Sequence, residues 1–142
     1  MARFMRRPPS EQRLALLAAL LVAFVRLGLA VASVRAVRRI LDRVVARPGM
    51  GSLVRSAPDE VGLAMARAAS AVPGATCLVQ SLALEALLRG GGHPARLCVG
   101  FARGVGHGLA GHAWVESAGW MSAGAAEVAG YARARPARAA RR

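Results

Sequence analysis

Between Thr76 and Glu116 the chain reads TCLVQSLALEALLRGGGHPARLCVGFARGVGHGLAGHAWVE. Val79, Leu82, Ala83, Ala86 and Leu87 recur at helical spacing, so a helix with one core-facing side runs from Cys77 to the Gly90-Gly91-Gly92 stop. Thr76 is its expected N-cap. From Ala95 to Phe101 the pattern switches to period two. Leu97, Val99 and Phe101 fall on one face and Arg96 and Cys98 on the other, as in a strand. A Gly-rich loop from Gly104 to Gly111, around His107, leads into a second strand, His112 to Ser117, with His112, Trp114 and Glu116 on one face. Ala118-Gly119 is a turn, and Trp120 to Ala123 is placed in a returning third strand. A helix followed by antiparallel strands predicts an α+β domain.

This order brings two reactive side chains into consideration. The chain has two cysteines and three histidines. Cys77 opens the helix, where unpaired N–H groups and the positive end of the helix dipole favour a thiolate. His112 opens the second strand. A cysteine at a helix start and a histidine on a neighbouring strand are the parts of a thiol nucleophile and its base. The plainer alternatives are a small buried apolar residue for Cys77 and a satisfied core histidine for His112. Cys98, in mid-strand, reads as core. His93, in a turn before Pro94, reads as solvated, and His107 is either a second base candidate or exposed. The backbone N–H of Cys77 is the expected oxyanion donor, with Gln80, one turn on, as a second. A carboxylate is needed to orient His112. Glu116 shares its face, but four residues along a strand is about 13 Å; Glu127, beyond the hairpin, can fold back and is the candidate third member. No metal spacing occurs, neither CxxC nor HExxH, and no cofactor is implied. GVGHG lacks the following Lys and the strand-to-helix context of a phosphate loop.

A length of 142 residues suits one domain with one core. Hydrophobic residues make up 55% and the mean hydropathy is +0.38, with the excess concentrated in the first third. The net charge is +13, carried wholly by arginine, since there is no Lys. Such a surface attracts anionic lipid, acidic partners or nucleic acid. Only 4% of residues are aromatic and no nucleic-acid-binding motif occurs, which disfavours nucleic acid.

The N-terminal region admits three readings. After a basic lead-in and a Ser10-Glu11-Gln12 capping sequence, Leu14 to Val34 is long enough to span a bilayer only by burying Arg26. Ala30-Val31-Ala32 also fits a signal-peptide cleavage site. The preferred reading is a pair of helices, packed on the core or lying at a membrane surface. In the second of them Arg35, Arg38, Arg39 and Arg43 oppose Val34, Val37, Leu41, Val44 and Val45. The expected division is therefore N-terminal helices (residues 1–47), a linker around Pro48-Gly49-Met50-Gly51 (48–58), a catalytic core (59–131) opening at Pro58-Asp59-Glu60, and a basic disordered tail (132–142). The expected location is the cytoplasm, with membrane-surface association through the first helices.

The CLVQSLALEALLRGGGHPARLCVG segment followed by GHAWVE resembles the lasso-peptide leader peptidases, transglutaminase-like cysteine proteases of ribosomal-peptide maturation. The resemblance covers residues 59–131. It implies a papain/transglutaminase-like α+β core, with the helix-start cysteine packed on a small antiparallel sheet. The nucleophile would fall on Cys77 and the base on His112. The family's acid, an Asp, would fall on Gly124, so Glu127 would have to substitute. In the split form of that family the peptidase acts on a precursor peptide with a separate small leader-binding protein. The core peptide then passes to an ATP-dependent lasso cyclase. A non-catalytic peptide-binding subunit is the alternative within the same fold.

Overall fold

A computed structural model describes residues 8–103, 106, 108–122 and 130–133. The elements in chain order are α1 (Pro9–Val31), α2 (Val34–Val45), α3 (Met50–Leu53), α4 (Pro58–Ala71), α5 (Cys77–Gly90), β1 (Arg96–Arg103), β2 (Leu109–Ser117), β3 (Trp120–Met121) and β4 (Ala132–Arg133). The strands form one antiparallel sheet in the order β3-β2-β1-β4. The chain is α+β, as its periodicities predict.

The fold is built around α5. Thr76 caps it, its hydroxyl accepting from Val79 N–H at 3.4 Å. The five predicted core positions, Val79, Leu82, Ala83, Ala86 and Leu87, are all buried, and so are Ser81, Leu84, Glu85 and Leu88. A helix buried nearly all round must be covered on several sides. Helices α1, α2 and α4 pack on it, as do β1 and β2. Each fully buried leucine contributes about 2 kcal/mol relative to an exposed one, so α5 is the largest single source of core stability. Its one acidic side chain, Glu85, is held by two bonds from Arg38 Nη2 of α2, at 3.0 and 2.9 Å, and accepts from Leu97 N–H of β1 at 3.0 Å. One carboxylate thereby ties three elements together.

Helix α1 is a single 23-residue helix. Leu14, Ala18, Val22 and Val25 form a stripe on one side of it and enter the same core as α4 and α5. It begins at Pro9, with Pro8 as N-cap and no side-chain cap, rather than at the Ser10 capping sequence; proline at a first helical position forfeits no hydrogen bond. Ser33 breaks the chain between α1 and α2 and caps α2, accepting from Ala36 N–H at 3.3 Å. Val37 and Leu41 are buried as predicted, whereas Val34 is exposed and Arg38 turns to Glu85. Arg26 lies against the turn before α5: a Cβ added at Gly74 would come within 2.7 Å of its Nε, and Gly74 itself has φ +75°.

Several details differ from the sequence expectation. The linker contains the short helix α3, followed by Val54, which is 1% exposed. Strand β2 starts at Leu109 instead of His112, because its pairing with β1 runs the full way from Arg96↔Glu116 to Arg103↔Leu109. The glycine-rich loop is correspondingly shorter. Strand β3 spans only Trp120–Met121. Ala132 and Arg133, expected in a disordered tail, pair with Phe101 and Gly100 as β4, because the outer edge of β1 offers unpaired backbone groups. His93, expected in solvent, is half-buried, with Nε2 2.9 Å from the Ser56 carbonyl.

Candidate active site

Cys77 is the first helical residue of α5 and is half-buried. Its backbone N–H belongs to the first turn, which has no intrahelical partner. The segment leading into it is fixed twice over: Gln80 N–H bonds the Thr76 carbonyl at 3.0 Å and Gln80 Nε2 donates to the Ala75 carbonyl at 3.0 Å. An amide nitrogen carries two donors, so the bond to Ala75 leaves one N–H of Gln80 for other use.

Cys77, Gln80, Leu84, His112, Gly62 and Met65 are among the residues around one cavity of about 140 Å3, enclosed by α4, α5 and β2. The two reactive residues predicted from sequence therefore border the same space. The wall at Gly62 is tight, since a Cβ there would come within 2.4 Å of the Trp120 ring. A larger, shallower depression of about 570 Å3 lies beside Arg96, Glu116, Trp120 and Arg133 and contains neither cysteine.

The imidazole of His112 shares the sheet face of Trp114. It stacks on that indole at 6.1 Å with 21° between planes, and meets the Tyr131 ring at 5.3 Å and 39°. Its Nε2 is shut off from solvent. Two aromatic rings thus hold the ring plane. Glu116, on the same face, is engaged elsewhere: it accepts from Trp114 Nε1 at 3.2 Å and pairs with Arg133 and Arg96. Arg133 also lies 5.9 Å over the Trp114 ring. Glu127, Gly124 and His107 lie outside the described residues.

The two thiols sit in different surroundings. Cys98 is buried against Trp114, Met121 and Tyr131. Burial pushes its thiol above the ordinary value and the Glu116 carboxylate adds to the rise, outweighing Arg96 and Arg133. Cys98 is consequently a core thiol that stays protonated at neutral pH. Among the described residues no group of three or more His, Cys, Asp or Glu side chains gathers to hold a metal ion.

A family model described as the transglutaminase-like superfamily matches residues 19–136. The chain belongs to the transglutaminase-like superfamily. Cysteine-protease and acyl-transfer chemistry is common in that superfamily. The match begins inside α1 and extends past β4, so the apolar first helix lies largely within the family region. No curated protein and no solved structure matches the chain.

In this transglutaminase-like domain Ser81 provides a polar link between the cysteine helix and the histidine strand, in addition to their apolar packing. Its buried hydroxyl donates to the Ala113 carbonyl at 3.0 Å. Ser81 lies one turn after Cys77, and Ala113 is the neighbour of His112. Beyond it, Ser122 clamps β2 by accepting from Val115 N–H at 2.9 Å and donating its own N–H to the Val115 carbonyl at 2.9 Å. Ser81 was not anticipated, although a serine one turn from Cys77, set among the apolar core positions of the helix, is a usable signal. Nor was Tyr131, for which no spacing rule applies. Ser81→Ala should cost about 1 kcal/mol of stability, the net worth of one buried hydrogen bond. Unfolding curves of the variant and the parent measure this effect.

Proposed function

We propose that this chain is a cysteine peptidase that removes the leader from a ribosomally made precursor peptide during lasso peptide maturation. The observation that carries the reading is that Cys77, at the start of α5, and His112, on β2, border one cavity. Membership of the transglutaminase-like superfamily supports thiol chemistry there. The lasso-specific reading rests on the resemblance of residues 59–131 to leader peptidases.

In this mechanism the Cys77 thiolate attacks the carbonyl carbon of the scissile amide. The oxyanion takes a hydrogen bond from the Cys77 backbone N–H, with Gln80 as a second donor. His112 holds the proton from the thiol and delivers it to the leaving amine as the C–N bond breaks. Water then hydrolyses the thioester, His112 taking its proton, and Cys77 is regenerated. Glu127 is the proposed third member, taking the role of the family Asp at Gly124. The Trp114 ring stacked on His112 and the Tyr131 ring tilted against it support the same orienting role.

The proposed partners are the precursor peptide, a small leader-binding protein and an ATP-dependent lasso cyclase that receives the freed core peptide, all in the cytoplasm. A leader-binding partner raises the local concentration of the scissile bond, as any tethered second site does. Kinetics on full-length precursor, with and without that partner, test the reading. The partner should rescue turnover mainly at low precursor concentration, and a precursor truncated at the leader N-terminus should lose the rescue. If the chain binds precursor but cleaves nothing with the partner present, it is a non-catalytic peptide-binding subunit instead.

A further inference from the structure

Helix α1 has a second stripe, on the side away from the core. Leu16, Leu20, Phe24, Leu27 and Val31 are 54%, 67%, 42%, 69% and 88% exposed. Their spacing of three or four residues places them in one row, about 22 Å long at 1.5 Å per residue. The 18-residue apolar window of α1 has a mean hydropathy of 2.6, yet only 22% of it is buried. A contiguous row of large exposed apolar side chains marks a surface made to be covered.

We infer that this outer face of α1 docks flat on an anionic lipid bilayer, drawn there by exposed arginines of α1 and α2. The helix cannot cross the bilayer while folded, because its inner stripe is part of the core with α4 and α5 and Arg26 is packed at Gly74. It can lie in the interface, the protein core taking the place of the polar side of an ordinary interfacial helix. Arg13, at the N-terminal end of the stripe, and Arg35, Arg39 and Arg43 of α2 are all exposed. Among the described residues none of these four arginines has a carboxylate partner. The outer stripe contains no acid. Such a surface complements negative headgroups. A second copy of this chain carries the same net charge of +13, which opposes its docking on this face.

The test is co-sedimentation of the full chain with vesicles of phosphatidylcholine alone and of phosphatidylcholine with phosphatidylglycerol. Binding should require the anionic lipid and fall as salt rises. Leu20→Glu with Leu27→Glu should lower binding at least about tenfold while leaving the far-UV circular dichroism unchanged, since both side chains are exposed. Arg35→Gln with Arg39→Gln should weaken binding to anionic vesicles through charge alone. The inference is overturned if the chain ignores both vesicle types, or if the leucine variant binds as well as the parent. It is also overturned if the parent is a dimer that the leucine variant dissociates, because a second copy then covers the face. Capture of an acidic protein by a chain that does not bind vesicles overturns it in favour of a protein partner.

Discussion

Replacing Cys77 by alanine should lower precursor cleavage by at least about a thousandfold, the scale of losing a catalytic nucleophile, with the fold intact. The side chain is half-buried at the first position of α5, and the Thr76 cap and the Gln80 bonds that shape this turn do not involve the thiol. Alanine is also the best helix former. The unfolding midpoint should therefore move little. Cys98→Ala is the control. It opens a small hole beside Trp114 and Tyr131 and should cost about 1 kcal/mol, yet retain most activity. Equal loss of cleavage in both variants would mean that the thiols matter only for packing.

The largest stability effect is expected at Arg38. Glu85 has a side chain only 8% exposed and draws two of its three bonds from that guanidinium. Arg38→Ala leaves a buried carboxylate with the Leu97 N–H alone. Losing one partner of a buried pair costs about 3–5 kcal/mol, and because Arg38 is itself 41% exposed the lower end, about 3 kcal/mol, is expected. That corresponds to a Tm lower by about 10 °C. Adding Glu85→Leu to Arg38→Ala should recover much of the loss, since the orphaned charge is then gone. Urea unfolding of the three proteins measures this. A loss under about 1 kcal/mol for Arg38→Ala would show the pair to behave like a solvated surface ion pair.

What was legible in the sequence follows local rules. The cap at Thr76, the helix α5 with its five core positions, the strand at β1 and the turn at Ala118-Gly119 each depend on residues a few positions apart, and each is present; the burial of the other sides of α5 and the exposure of Phe101 are set by packing. Whether Cys77 and His112 meet was left open by the sequence; packing of α5 on β2 puts both on the border of one cavity. The misreadings are nonlocal. Strand β4 exists because β1 has a free edge, which nothing near Ala132 announces. The Arg38–Glu85 pair joins residues 47 positions apart. His93 was read from its neighbours, while its partner, Ser56, is 37 positions away. Helix α1 was ambiguous because it is apolar on both sides; only packing distinguishes the inner stripe from the outer.

The most direct measurement of the Cys77–His112 assignment is the rate of alkylation of each thiol by iodoacetamide, followed by peptide mass spectrometry across pH in the native chain and in His112→Gln. Cys77 should react faster than Cys98 near neutral pH. Cys98 should gain reactivity only at more alkaline pH, because its raised pKa keeps the thiol protonated through the ordinary range. In His112→Gln the Cys77 rate near neutral pH should fall at least about tenfold while the Cys98 rate stays unchanged. A Cys77 rate that is indifferent to His112, or no faster than that of Cys98, would contradict the pairing of these two residues as nucleophile and base.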